Sequence, residues 1–446
     1  MKKIFILLLF LPCLCYAQTN VITPIDLLDD EVAFTGVDEL LVGSENNFIL
    51  ATSNNTLSTL MINPNDFSLS VGTSLTLTNC ESLEPLSEII LVASGEFAYY
   101  LCETTIGEPH IGLVEVNSQT GALTLLNDTL LFFPRDGVTN GNEDFSGAIR
   151  SFIISPDNQN LYASVSIRQD DETFLSSLDT YSIDLTAGQI NLQQQSPPAS
   201  ARLIISPDGR HVYTISTSKI NGGSPFGFFF SNSIQYYERG ADGFLTELGL
   251  FPLPASGQFD LLGSDLSFDS IFSNDGERIY TQTNQTSLGE NNLIGLNLIR
   301  RNTNTGLLTQ SSDEQAIEEL AFKEPGITND IPLTITGKNS LLISARSGIS
   351  AYRLNSVSGE IVTLLGSNLN QGFAPINAED NDFRDILTLP EKNVLYAAYD
   401  EGIALFEIST PLTLDAVEVP ILSSWNLYVL FGLFFAIGCF LIKSRD

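Results

Sequence analysis

The strongest constraint on how this chain can fold is a hairpin that repeats. Leu203–Ile215 reads Leu-Ile-Ile-Ser-Pro-Asp-Gly-Arg-His-Val-Tyr-Thr-Ile, an apolar run, a tight turn and a second apolar run. Pro207 pre-sets φ for the turn, Asp208 can bond its own backbone, and Gly209 accepts positive φ. Apolar runs on both sides of such a turn make a β-hairpin. Close copies are Phe152–Tyr162 and Ser270–Tyr280, and weaker ones are Ile90–Tyr100, Ile386–Tyr396, Leu40–Ile49 and Leu333–Leu342. The turns fall near positions 44, 94, 156, 207, 274, 338 and 391. Their spacing of roughly 50–67 residues is the period of propeller blades with loop insertions.

A second signature follows most of these hairpins, a strand-turn-strand with glycine at the turn. It stands at Val116–Thr124, Ile183–Ile190, Arg239–Leu245, Arg301–Leu308 and Leu354–Ile361. Two hairpins per repeat make four strands, which is one blade. The expected fold class is therefore all-β, a seven-bladed β-propeller of four-stranded blades, with another repeating all-β solenoid as the alternative. Residues 39–410 hold the blades, and residues 18–38 form a leading segment that can supply a propeller-closing strand. The longer insertions are Gly137–Gly147, Thr217–Ser233, Leu253–Leu262, Gln310–Asn329 and Ala374–Asp385. Most are rich in loop-forming residues; Asp313–Phe322 alone has helical character.

The Ser-Pro-Asp-Gly turn followed by Val212-Tyr-Thr or Ile279-Tyr-Thr, with a later Thr-Gly-x-Leu, resembles the YVTN and lactonase-type seven-bladed propellers. The resemblance covers roughly residues 35–410. It implies the fold, and a hydrolase acting at the channel mouth through a set that includes His, Arg and Glu. No position here matches that set residue by residue. The shared motifs are turn and core residues, which specify a fold rather than an activity.

The two ends of the chain carry an address. Residues 1–17 read as a secretory signal peptide, with Lys2 and Lys3 as the basic region and Ile4–Leu11 as the apolar one. A lipoprotein signal fits less well, since Cys13 follows Pro12 and Cys15 follows Leu14. Residues 411–418 form a linker. Residues 419–446 hold Trp425, an apolar run to Ile442, and basic Lys443 and Arg445. Residues 425–442 are just long enough to span a bilayer as a single helix, with the basic end cytoplasmic. The order Pro420, Leu422, Ser423, Trp425, apolar helix, basic end resembles the IPTL-CTERM sorting domain of Gram-negative bacteria. It departs from that pattern at Ile421 and Asn426. The resemblance implies an exosortase-like sorting protease as partner and delivery through the inner membrane to the cell surface or outer envelope; a plain membrane anchor is the alternative.

Formal charge is −33, with 53 acidic against 20 basic residues. Such a surface repels phosphate backbones, so nucleic acid is not a partner. Cys80 and Cys102 are the only cysteines between the leader and the tail. An exported compartment permits their oxidation, and the alternatives are a disulfide or two independent buried thiols.

No zinc spacing, phosphate-binding glycine loop or nucleophile elbow is present. Of two histidines, His211 adjoins the repeated turn in a structural position, and His110 lies in Gly-Glu-Pro-His, read as a loop. Aligning the repeats places Asp38, Glu39, Glu88, Arg150, Arg202, Asp269, Arg384 and Asp385 at the start of the innermost strands, around the channel rim. Guanidinium forks pair well with carboxylate, so this set can clamp a carboxylated or hydroxylated ligand; alternatively the charges pair among themselves across the channel. Asp136, Asn140 and Asp144, and Glu379, Asp380 and Asp382, lie in oxygen-rich loops suited to calcium, though neither has EF-hand spacing. No other cofactor is indicated. The sequence is thus read as an exported, surface-sorted propeller binding a ligand or protein through its loop face. A lactonase-like hydrolase and a structural surface component are the alternatives.

Overall fold

The protein is described here by a computed structural model, which defines residues 22–28, 37–43, 46–53, 55–80, 89–91, 95–103, 109–132, 147–168, 174–184, 189–196, 202–224, 227–252, 270–285, 293–310, 333–335, 341–345, 349–355, 357–368, 383–389, 392–399 and 402–408. The leader, the tail from residue 409, both calcium-suited loops, Glu88, Asp269 and the helical stretch at 313–322 lie outside the described residues. Among the described residues no helix is long and apolar enough to cross a membrane.

The fold is an all-β propeller. Its strands form four-stranded antiparallel sheets, numbered here in chain order. Sheet I comprises Val37–Val42, Phe48–Ser53, Thr56–Ile62 and Leu69–Thr76; sheet II comprises Ile89–Leu91, Phe97–Glu103, Pro109–Val116 and Leu123–Phe132. Sheet III is Gly147–Ile154, Asn160–Arg168, Phe174–Asp184 and Gln189–Ser196. Sheet IV is Arg202–Ile205, His211–Ser224, Gly227–Arg239 and Leu245–Pro252. Sheet V is Ser270–Phe272, Arg278–Gln285, Leu293–Arg301 and Leu308–Gln310. Sheet VI is Leu333–Ile335, Leu341–Ala345, Ile349–Leu354 and Ile361–Asn368. Sheet VII takes Phe383–Leu389, Val394–Tyr399 and Gly402–Ile408 from the end of the propeller and Ile22–Leu28 from its beginning. The leading segment therefore closes the last sheet, pairing antiparallel from Ile22↔Ile408 to Leu28↔Ile403.

Each repeated turn separates the first and second strands of one sheet. The reason is local. In the Ser-Pro-Asp turn of sheet IV, Ser206 Oγ donates to Asp208 Oδ1 at 2.6 Å and accepts from His211 N at 3.0 Å, while Gly209 takes φ +68°. Asp157 and Asp275 repeat the carboxylate contact at 2.6 and 2.5 Å. Second strands are deeply buried, as in Phe48–Ser53 and Val394–Tyr399, whereas the outermost strand Leu69–Thr76 is largely exposed. This is the gradient expected when sheets stack face to face around a centre.

The apolar side chains collect between sheets. Phe48, Leu50 and Leu57 pack with Ala98, Tyr100 and Val114 between sheets I and II; Val37, Leu40 and Leu60 pack with Leu389, Val394 and Leu405 between sheets I and VII. Comparable clusters fill each interface from II/III to VI/VII. The ring thus closes through burial as well as through the shared sheet VII, and no sheet can be removed without opening two cores.

Four local expectations need correction. Thr217–Ser233 is not a loop insertion: residues 217–224 and 227–233 continue two long strands paired from Ser216↔Ser233 to Ser224↔Gly227. Backbone pairing with a facing strand of similar length outweighs the loop-like composition. His110 lies not in a loop but in the strand Pro109–Val116, opposite Cys102. Propeller strands also begin before residue 39, since the first strand of sheet I starts at Val37, and residues 383–385 of the last insertion are already strand.

Candidate functional site

In an antiparallel sheet of order 1-2-3-4, the 1–2 and 3–4 turns lie at one end, and the 2–3 and sheet-to-sheet connections at the other. The two repeated signatures are therefore at the same end, and the structure brings them together across sheet boundaries. Tyr162 of sheet III donates its hydroxyl proton to Gly243 O of sheet IV at 2.9 Å. Tyr213 reaches Gly306 O of sheet V at 3.2 Å, and Tyr280 reaches Gly359 O of sheet VI at 2.8 Å. Tyr396 of sheet VII closes the series on Phe67 O of sheet I at 2.8 Å. Phe67 holds the left-handed φ of 62° that glycine holds elsewhere. Burial pushes the phenols of Tyr162, Tyr213 and Tyr280 up to about 12, partly offset by nearby arginine, so all stay protonated donors.

An arginine completes each of three latches. Arg301 of sheet V has a fully buried side chain. Its Nε donates to Tyr213 Oη at 2.8 Å, its Nη1 to Gly276 O at 2.9 Å, and its Nη2 to Asp208 at 3.0 Å and to His211 Nδ1 at 2.7 Å. Accepting through Nδ1 requires a neutral imidazole, and burial followed by the Arg301 charge lowers the His211 pKa. Burial alone would raise Asp208. Hydrogen bonds from Ser206 and the Arg210 N–H, with the Arg301 contact, hold it below the ordinary carboxylate value. Arg239 of sheet IV repeats the pattern one interface earlier, bonding Tyr162 Oη at 2.8 Å, Asp157 Oδ2 at 2.7 Å and Asn160 Oδ1 at 2.7 Å. At the next interface Leu354 occupies the corresponding position, and the arginine comes from the other side. Arg278 of sheet V, at the place of Asn160 and His211, bonds Asp275 at 2.8 Å and Val357 O at 2.6 Å. These arginines and tyrosines were legible in the sequence as repeat residues, but nothing there paired them.

The described members of the charged set expected at the rim, Asp38, Glu39, Arg150, Arg202, Arg384 and Asp385, lie in strands at the opposite end. The first strands of sheets I, III and VII each carry a β-bulge, between Val37 and Glu39, Ile149 and Ser151, and Phe383 and Asp385. The extra residues are Asp38, Arg150 and Arg384. Bulges re-aim side chains and gather beside binding sites. Arg384 Nη1 donates to Asp38 Oδ1 across the VII/I boundary, and Asp385 Oδ2 accepts the Leu40 N–H at 2.7 Å. The equivalent bond at III/IV is Leu203 N to Ser151 Oγ at 3.1 Å. Arg202 opens the first strand of sheet IV, half-buried, one position after the bulge in register. The structure thus joins Asp38 with Arg384 and sets Asp385 beside them; Arg150 and Arg202 occupy neighbouring register positions on sheets III and IV. A bulge residue carries no sequence signature of its own, so the repeat pattern does not mark these positions.

The two histidines are withdrawn from solvent. His211 is 1 % exposed inside the IV/V latch, and His110 is fully buried against Cys80 and Cys102, which form a disulfide with Cα atoms 5.6 Å apart.

No protein-family model matches the chain, and no curated protein matches it. Solved structures do resemble it. Two, described as "putative 6-phosphogluconolactonase", come from Bacteroides uniformis and Bacteroides fragilis. Each is 16 % identical with TM-score 0.49; the matches cover 72 % and 75 % of this chain, and 82 % and 84 % of those chains. A protein from Lactobacillus plantarum is 13 % identical with TM-score 0.46, covering 76 % of this chain and 84 % of that one.

Proposed function

We propose that this chain is an exported, seven-bladed propeller that binds a carboxylated or hydroxylated ligand at the centre of its connection end. The observation that carries the reading is the division of labour between the two ends. At the turn end, the repeated tyrosines and arginines are engaged in sheet-to-sheet latches. At the other end, bulges in three first strands fall at Asp38, Arg150 and Arg384, with Arg202 and Asp385 one register position later. A guanidinium offers a planar fork matched to carboxylate, and Arg384 is 42 % exposed while it holds Asp38. A ligand carboxylate can compete for that guanidinium without unfolding any part of the sheet.

Hydrolysis is the weaker reading, because both histidines are buried and one serves a latch. The seven sheets and the clusters between them support seven blades. Export through residues 1–17 and sorting through Pro420, Leu422, Ser423 and Trp425 by an exosortase-like protease complete the proposal. The Cys80–Cys102 disulfide supports it, as such bonds persist in oxidising compartments.

The test uses the full chain in detergent against a panel of di- and tricarboxylates and a panel of lactones. Binding predicts a rise in melting temperature with a polycarboxylate that disappears in the Arg150→Ala, Arg202→Ala double variant, and no lactone opening above the spontaneous rate. Turnover that the double variant abolishes would replace the binding reading with a lactonase. Neither response, in a protein that melts cooperatively, would remove the rim from consideration.

A further inference from the structure

A third cluster lies away from both the latches and the rim. Cys80 follows the outermost strand of sheet I, Cys102 is on the second strand of sheet II, and His110 faces Cys102 in register on the third. All three are buried. The cysteines belong to the apolar core between sheets I and II, with Phe48, Leu57, Leu77 and Val114. His110 Nε2 stands 2.9 Å from Cys102 Sγ, and one donor atom from each residue lies within 4.8 Å of the others. A disulfide by itself needs no imidazole beside it. Two thiolates and an imidazole, however, are the donors that zinc takes at three of its four positions.

We propose that Cys80, Cys102 and His110 form a redox-gated site for a thiophilic divalent ion, closed by the disulfide and opened by its reduction. In the oxidised state both sulfurs are spent on each other. A dithiol reductant would transfer two electrons and its two protons to the pair, leaving two cysteine thiols and a disulfide on the reductant. The incoming ion then displaces both thiol protons to water and binds the two sulfurs and one nitrogen of neutral His110. Metal–sulfur bonds of about 2.3 Å at tetrahedral angles set the sulfurs about 3.7 Å apart. The three side chains supply three of the four positions. Soft thiolate donors select zinc over the hard cations that the acidic surface attracts.

The probe is Co2+ in place of Zn2+, because thiolate-bound cobalt has its own charge-transfer and visible bands. The full chain is produced in a reducing cytosol and kept under nitrogen in detergent, and half is then oxidised. The reduced sample should take up one thiolate-bound cobalt per chain, displaceable by zinc, and the oxidised sample none. A Cys80→Ser, Cys102→Ser variant, which keeps Cys13, Cys15 and Cys439, should lose the bands. His110→Gln, which keeps a polar side chain of similar reach, should weaken cobalt binding by at least about 10-fold. Circular dichroism of each variant checks that the sheets are intact. Unchanged bands in the double cysteine variant, or no bands in the folded, reduced parent, would overturn the site. Bands that survive His110→Gln at full affinity would remove the imidazole and with it the proposal.

Discussion

The IV/V and V/VI interfaces solve one problem in opposite ways. At IV/V the arginine comes from the later sheet: Arg301 reaches back to Asp208, His211 and Tyr213. At V/VI it comes from the earlier sheet: Arg278 reaches forward to Val357 O, and Leu354 stands where Arg301 would be. Tyrosine-to-glycine contact is common to both. What is maintained is a cation in the gap beside a carboxylate, not the position that supplies it. Glycine is needed on the facing turn for the same reason, since a Cβ at Gly306 would lie 2.2 Å from His211 and one at Gly359 would lie 2.2 Å from Arg278.

The largest effect should come from removing Arg301. Arg301→Leu leaves a buried acceptor set without its cation. It should cost about 3 kcal/mol, the low end for a broken buried pair, because Asp208 retains contact with water. The companion change His211→Arg copies the V/VI arrangement into IV/V. In a double-mutant cycle read by denaturant unfolding, the two changes should couple favourably by about 1 kcal/mol or more. Additive losses would mean that the two latches are not interchangeable.

A smaller effect separates the tyrosines. Tyr213→Phe strands both the Gly306 carbonyl and a donor of buried Arg301, and should cost about 2 kcal/mol. Tyr280→Phe strands only a carbonyl and should cost about 1 kcal/mol. Equal losses would show that the Arg301–Tyr213 bond contributes nothing.

The smallest effect is a pH dependence. His211 is neutral in the folded latch with its pKa lowered from 6.5, whereas the unfolded chain titrates at the ordinary value. Below pH 6.5 the unfolded state binds the extra proton, so stability falls as pH drops from there toward the folded pKa. His211→Asn, which installs the residue that sheet III uses at this position, should remove that part of the slope in melting temperature. A slope identical in the variant would place the titration elsewhere.

The same contrast holds between the two ends of the sheets. The turn end is built from residues that repeat and is largely legible in the sequence: Pro207, Asp208 and Gly209 act within a single turn, so their effect is local and leaves a pattern. At the connection end the sequence shows only a set of charges ahead of each turn. Register divides that set into bulge residues, Asp38, Arg150 and Arg384, and residues one place later, Arg202 and Asp385. Side-chain period along a strand cannot reveal this, since an inserted residue shifts the period without announcing itself.

The chain's own order of residues determines the hairpins, the four-strand repeat and the burial of each second strand, because turn geometry and alternation act over a few neighbours. Which residues meet across sheets was decided only by the closed ring. Arg239 and Tyr162 are 77 residues apart, Arg301 and Asp208 93, and Arg384 and Asp38 346. The reach of each latch depends on how two twisted sheets stack, and that stacking is set jointly by cores that no single repeat contains.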